Sequence, residues 1–499
     1  MTRVRRGLIL VHRYLGIPLS GLFVLWFLSG IVMMYTGGMP DVSPQVRHER
    51  LAPLYLEAAG LMPDEVIRAA SLHPRPSRVT SFTILGRPAY RIDGVTLFAD
   101  TGEWLDQINA SDARVVASHF VGVPVERVEF IATLTEPDQW TVGERQALPV
   151  HRLKIEDPSR TEVYVSARAG DVAVLTTGRS RLLAWVGAIP HWMYFRALRE
   201  NQALWHRVVV WASTLGCIVA LVGVTLGLTQ FRWGHRTARA GRFSSLAARI
   251  PYVGWMRWHY VTGVVFGALT LTWVFSGLLS MEPYEWTAAE GLAVSPDAMS
   301  GGRLDLRRFP PFDDVRRAVW RETLGDRTVK EVEFLSIQGD PFYVVHTASE
   351  RLLVHADTLL LKALPFSEAS LVARLAAASP RTALVDSQWL DDYDSYYYSR
   401  TGDAPLPVLR VKFADDMRTW VYVDPVVSRV VRTAHRWSRL ERWLFNGLHS
   451  LDFSIWWDRR PLWDIGVIAL SLGGLVSSGI GLWVGLCRVG RAVRPNRRH

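Results

Sequence analysis

The sequence predicts an α-helical membrane protein: a bundle of four spanning helices made of two parallel repeats, each carrying an outer α+β domain. Three observations predict it. Four long stretches are apolar and free of charge, arginine is gathered into three short segments, and the second half of the chain repeats the first.

The four stretches are Leu15–Tyr35, Val208–Leu228, Tyr260–Met281 and Ile465–Leu486, and none contains Asp, Glu, Lys or Arg. About 20 apolar residues as helix cross a hydrocarbon core of about 30 Å. A buried helix of that length in a soluble protein would carry a polar stripe. The first stretch follows the head MTRVRR, but its apolar run exceeds a leader's core and no small-residue cleavage pattern follows, so it reads as a retained anchor.

Residues 1–14 carry four arginines, 229–258 carry six and 487–499 carry five, with no acid in any of the three. Basic segments stay on the cytoplasmic side. Both termini are therefore predicted in the cytoplasm of a bacterial inner membrane, with two large loops facing outward. The rest of the chain holds 42 basic and 47 acidic residues, so the high pI is a topology signal and not a nucleic-acid footprint.

The repeat is written in rare residue types. His12, Gly16, Trp26, Ser29, Gly30 and Met34 recur 247 positions on as His259, Gly263, Trp273, Ser276, Gly277 and Met281. LPVHRLKIED at 148–157 returns as LPVLRVKFAD at 406–415, and that shift of 258 then pairs Trp185 with Trp443, His191 with His449, Trp205 with Trp463 and Gly223 with Gly481. Two copies that both start in the cytoplasm are parallel repeats related by an axis along the membrane normal. Glycines 216, 223, 227, 474, 481 and 485 on the second and fourth spans allow close helix approach.

In each outer loop a short helix precedes hairpin strands. PDEVIRAASL at 63–72 has helical spacing with acids in its first turn, and SFTILGRPAYRIDGVTLFADTGEWL alternates and turns like a hairpin sheet. PFDDVRRAVW and FLSIQGDPFYVVHTASERLLVHADT repeat the pattern, with Gly86, Pro88 and Tyr90 returning as Gly339, Pro341 and Tyr343. The predicted division is a cytoplasmic N-terminus and first span at 1–36, an outer domain at 37–185, an outer segment and second span at 186–230, and a basic cytoplasmic loop at 231–257. A third span at 258–282, an outer domain at 283–443, an outer segment and fourth span at 444–487, and a cytoplasmic tail at 488–499 complete it.

A short helix, then G-x-P-x-Y on a strand, then a turn such as Asp100-Thr101-Gly102, together with H-x-x-x-G and a later Ser-Gly on the first span, resembles the PepSY-associated transmembrane proteins. The likeness covers nearly the whole chain. That family includes iron-regulated inner-membrane proteins and siderophore reductases of the ferrioxamine-reductase type with b-type haem. The resemblance therefore implies PepSY-like outer domains, haem and ferric-iron chemistry.

The residues themselves narrow the cofactor. Only Cys217 and Cys487 are present, both in or beside spans, which excludes an exported disulfide framework, C-x-x-C-H haem attachment and cysteine-held iron–sulfur clusters. A lone histidine at a helix end is usually interfacial. The repeat makes His12 and His259 equivalent on the cytoplasmic side, and His191 and His449 equivalent on the outer side. Paired imidazoles between apolar helices suit haem b, one near each face, with iron held through these histidines. Zinc fits less well, since neither pair has the further ligands that a tetrahedral site takes.

His206, a turn into the second span, competes with His191 as the outer ligand; its repeat partner is Asp464. Arg13, Arg207 and Arg257 are candidate propionate partners, although arginines at span ends also serve topology. DDYDSYYY at 391–398 and FSIWWDRR at 453–460 read either as an interfacial aromatic belt or as a landing surface for an iron chelate. The other histidines, His48 and His346 among them, show no ligand spacing.

The function these features predict is transfer of electrons across the membrane to ferric iron held by a siderophore or other chelate. The donor would be a cytoplasmic protein or a quinol, because no flavin or nicotinamide motif is visible. The alternative is a non-enzymatic membrane module whose outer domains bind an exported partner and which holds no cofactor. A transporter is disfavoured by spans with no ionisable residue beyond Asp464.

Overall fold

The computed structural model describes residues 3–73, 76–231, 249–283, 287, 291–400, 402 and 404–493. Most of the predicted basic loop and the end of the tail lie outside them. The chain forms two compact units. One comprises Met1–Met39, Ser180–Ala289 and Trp437–His499, the other Pro40–Arg179 and Glu290–Arg436.

The first unit contains four helices long and apolar enough to cross a membrane: α1 (Arg3–Thr36), α2 (Gln202–Gln230), α3 (Gly254–Leu279) and α4 (Leu462–Val493). All four predicted stretches are helical, the third as far as Leu279, and each helix begins before its stretch. Asn201 caps α2 by accepting from the Leu204 amide, while α1 runs through Pro18. Helix α1 packs on α4 and α2 on α3, with α1 also touching α2 and α3 touching α4.

Small residues set these approaches. A Cβ on Gly474 would lie 2.3 Å from Phe27, and one on Gly227 would lie 2.8 Å from Val264. Phe23, Phe27, Val219 and Val274 fill the bundle centre.

The second unit contains three antiparallel sheets. Strands β1 (Val79–Ile84), β2 (Arg87–Ile92) and β3 (Val95–Phe98) form the predicted hairpins after the helix Pro63–Ala69. Strands β8 (Glu331–Ile337), β9 (Asp340–His346) and β10 (Arg351–His355) repeat them after the helix Asp314–Leu324. The turns explain the recurring glycine: Leu85-Gly86 and Gln338-Gly339 both have positive φ, 52° and 74° in one and 54° and 97° in the other. Two such residues make the tight turn whose twist matches paired strands.

The two loops meet in one sheet of order β10-β9-β8-β1-β2-β3. Val79 pairs with Phe334, Thr80 with Glu333 and Ser81 with Val332. Thr80 and Glu333 are repeat equivalents, so the seam is self-complementary. Tyr90 and Tyr343, the tyrosines of the two G-x-P-x-Y copies, are fully buried with Phe334 and Trp320 in the core over this sheet. Burial of each such side chain contributes on the order of 2 kcal/mol.

Two four-stranded sheets complete the unit. Strands β4 (Val128–Leu134), β5 (Val150–Ile155), β6 (Glu162–Ser166) and β7 (Val172–Thr176) form one; β11 (Leu384–Leu390), β12 (Val408–Phe413), β13 (Trp420–Asp424) and β14 (Arg429–Ala434) form the other. The matched segments LPVHRLKIED and LPVLRVKFAD supply β5 and β12.

Candidate functional site: two imidazole pairs

His12 on α1 and His259 on α3 face each other with ring centroids 6.1 Å apart and planes 29° apart. His191, at the end of the short helix Ala188–His191, faces His449 of Leu448–Ser450, also at 6.1 Å but with planes at 70°. The two equivalences read from the sequence are thus two contacts in the bundle unit.

The rings are fixed from behind. His12 Nδ1 donates to the Val219 carbonyl at 3.1 Å. His191 Nδ1 lies 3.2 Å from the Trp26 carbonyl and 3.1 Å from Ser29 Oγ, and His449 Nδ1 lies 3.2 Å from the Trp273 carbonyl and 3.0 Å from Ser276 Oγ. His259 Nδ1 has the repeat equivalent of Val219, the Ser477 carbonyl, beside it without a well-formed hydrogen bond. A carbonyl only accepts, so in the three bonded rings the proton sits on Nδ1 and the lone pair on Nε2. Anchoring the rear nitrogen in this way is how proteins orient metal-binding histidine.

Each ring also lies on a helical glycine. Its Cε1 would be 2.7 Å from a Cβ on Gly223 (His12), 3.0 Å on Gly481 (His259), 3.3 Å on Gly30 (His191) and 3.5 Å on Gly277 (His449). These glycines form two repeat-related couples.

The spacing tests what could sit between the rings. An imidazole nitrogen lies about 1 Å from its ring centroid and binds a first-row metal at about 2 Å, so ligation from opposite sides sets centroids about 6 Å apart. Both pairs meet that spacing. By contrast, His48 and His346 stack directly at 4.7 Å and 19° in the other unit. Among the described residues no group of three or more His, Cys, Asp or Glu could hold a metal ion. Two imidazoles therefore suit a group that brings its own equatorial donors, as haem does. The His12–His259 pair lines a cavity of about 510 Å³ with Phe23, Gly223 and Gly481, a size in the range of cofactor pockets.

The remaining candidates are placed differently. His206 Nε2 donates to the Met281 carbonyl at 2.7 Å, tying α2 to the end of α3. Its repeat equivalent Asp464 accepts from Tyr35 at 3.2 Å, tying α4 to the end of α1. His206 thus belongs to a repeated clasp, and His191 is the residue that meets His449. Arg13 lines the cavity; Arg207 and Arg257 are exposed and do not. Arg488, which sequence reasoning passed over, does line it.

The tyrosine run is held in part by its own unit. Tyr397 is buried and stacks on Tyr422 at 5.0 Å, while the hydroxyls of Tyr393 and Tyr397 donate to the carbonyls of Ala404 and Pro405. Asp394 gathers Tyr422 and Arg410. Arg460 is committed too: it pairs with Asp464 and lies over the Trp457 and Trp463 rings.

Sequence reasoning also missed the His48–His346 stack. His48 Nε2 lies 3.7 Å from Glu331, whose strand pairs it with His346. Burial and the neighbouring His48 push the His346 imidazole down to about 4. Burial works to raise the Glu331 carboxyl, and His48, His346 and Arg78 together outweigh it, holding Glu331 below its ordinary value. The signal was not in spacing along the chain, because the seam between the repeats creates the contact.

Fold and site together define a four-helix bundle with two half-buried, repeat-related imidazole pairs. In comparison with known proteins, no family model and no curated protein matches the chain.

Proposed function

We propose that the chain is a b-type haem protein of a bacterial inner membrane that carries electrons across the bilayer and reduces ferric iron, held by a siderophore or other chelate, on the outer face. The observation that carries this reading is the doubled 6.1 Å separation of imidazoles, three of which have the rear nitrogen anchored to a carbonyl. His12 and His259 would hold one haem toward the cytoplasm, and His191 and His449 a second toward the periplasm. Bound haem would supply one-electron redox chemistry, for which the protein contributes ligation, spacing and a dry setting. The apolar helices exclude water, and the carbonyls of Val219, Trp26 and Trp273, with Ser29 and Ser276 beside the last two, hold the Nδ1 of His12, His191 and His449 and leave Nε2 of each free.

The arginine segments support a reading with both termini in the cytoplasm and the sheet-containing unit in the periplasm. The resemblance to PepSY-associated membrane proteins supports the same placement and suggests the ferric chelate as acceptor. The donor is a cytoplasmic protein or a quinol.

The test is the absorption spectrum of the detergent-purified full chain, oxidised and then dithionite-reduced, after expression with ample haem. Two haems per chain are expected. Alanine at His12 or His259 removes one and alanine at His191 or His449 removes the other, while His206→Ala removes neither. A protein with no Soret band would refute the reading and favour a cofactor-free module that binds an exported partner.

A further inference from the structure

The cavity around His12 and His259 is built from repeat-equivalent residues, yet its two sides differ. Position 13 of the first copy is Arg and its equivalent is Tyr260; position 488 of the second copy is Arg and its equivalent is Gln230. All four line the cavity.

The helix contacts sort them by side. Along the antiparallel α1–α4 pair, Gly474 lies against Phe27, Gly481 against Ser20 and Gly485 against Ile17. One further turn sets Arg488 level with Arg13. Along α2–α3, Gly216 lies against Val274 and Gly227 against Val264, and the Tyr260 hydroxyl donates to the Gly227 carbonyl at 2.6 Å. One further turn brings Gln230 to the level of Tyr260. The α1–α4 side is thus doubly cationic. The α2–α3 side is neutral and already satisfied, with Gln230 accepting from the Tyr252 hydroxyl and Tyr260 bonded to backbone.

Two guanidinium groups at one level repel unless an anion lies between them, and neither forms an ion pair among the described residues. A cavity with an apolar body and two cations on one rim fits a flat apolar ligand with two carboxylates on one edge. Guanidinium is the side chain best suited to carboxylate, through paired charge-assisted hydrogen bonds.

We propose that Arg13 and Arg488 together bind the two propionates of the haem held by His12 and His259, so that the charge asymmetry admits the porphyrin in one of two pseudo-symmetric orientations. This rests on the haem reading above. The two arginines act as binding and orienting residues, and the neutral α2–α3 side receives the apolar edge.

The test titrates haem, and separately iron protoporphyrin dimethyl ester, into the haem-depleted full chain in detergent, following the Soret band. His191→Ala is included throughout, so that only the His12–His259 site is read. Arg13→Gln with Arg488→Gln should weaken haem by about tenfold or more while leaving the ester, which has no carboxylates, within about twofold. Adding Tyr260→Arg and Gln230→Arg, which moves the charges to the repeat-equivalent side, should restore haem binding and reverse its orientation in proton NMR of the haem methyls.

Equal loss for haem and ester overturns the proposal, as does no loss for either. So does loss of bound phospholipid with unchanged haem affinity, which would assign the arginines to lipid phosphates. If the parent protein with Arg13 and Arg488 intact binds neither porphyrin, the haem reading itself falls.

Discussion

Gly223 is the position at which one methyl group should do most to the bundle. A Cβ there would lie 2.7 Å from His12 Cε1 and 3.2 Å from Nδ1. The ring cannot simply swing away, because its Nδ1 bonds the Val219 carbonyl one turn earlier on the same helix. Overpacking costs about 1–3 kcal/mol, the lost hydrogen bond about 1 kcal/mol, and replacing helical glycine by alanine returns about 0.5–1 kcal/mol. The net for Gly223→Ala is about 2 kcal/mol, roughly thirtyfold in the affinity of the His12–His259 pair for the haem proposed to lie between its rings. The assay is haem titration of the detergent-purified variant beside Gly479→Ala, whose Cβ meets nothing within 4 Å. Gly479→Ala should bind as the parent does and melt slightly higher. Equal binding by the two variants would refute the view that glycine seats the imidazole.

Other expectations follow from the same geometry. Gly481→Ala should weaken the same site less than Gly223→Ala, since its closest contact is 3.0 Å, and titration would rank the two. His206→Phe breaks the tie to Met281 and should cost roughly 1 kcal/mol of stability, read as a lower melting temperature, without changing haem content. Asp394→Asn weakens the charged partner of Arg410 and Tyr422 and should destabilise the sheet-containing unit by about 1–3 kcal/mol in denaturant unfolding. His346 titrates near 4 folded against an ordinary 6.5, so its contribution is present above pH 6.5 and is lost as pH falls toward 4. With its partial exposure discounted, that loss is on the order of 2 kcal/mol, and His346→Phe should flatten the pH dependence of thermal unfolding across that window.

The spans were legible because charge-free runs of this length have few other uses, and the imidazole pairs because a repeat of rare residues exposes equivalence without coordinates. The recurring Ser-Gly on the first and third spans was visible as a pattern only. Its meaning needed the structure: Ser29 and Ser276 contact the rear nitrogens of His191 and His449, and Gly30 and Gly277 make room for the rings. Gly223 and Gly481 resemble helix-packing glycines in sequence, since side chains from a third element leave no mark on the helix's own periodicity. The packing of the tyrosine run was not legible, because aromatic clustering is the same in sequence whether the rings meet solvent or each other; in the structure Asp394 accepts from the strand tyrosine Tyr422. The partner of His206 was not legible, because depth in a span says nothing about which neighbour offers a carbonyl.

The seam between β1 and β8 carries a consequence for ancestry and engineering. A strand that pairs with its own repeat about Thr80 and Glu333 is the interface a symmetric dimer would use. Severed between residues 231 and 253, each fragment would present an uncovered strand edge and one half of every imidazole pair. Neither could finish its sheet or its ligand sets alone. Co-expressed fragments should therefore find each other, and a single half of the gene, expressed by itself, has a ready route to a homodimer in which the pseudo-symmetry becomes true symmetry.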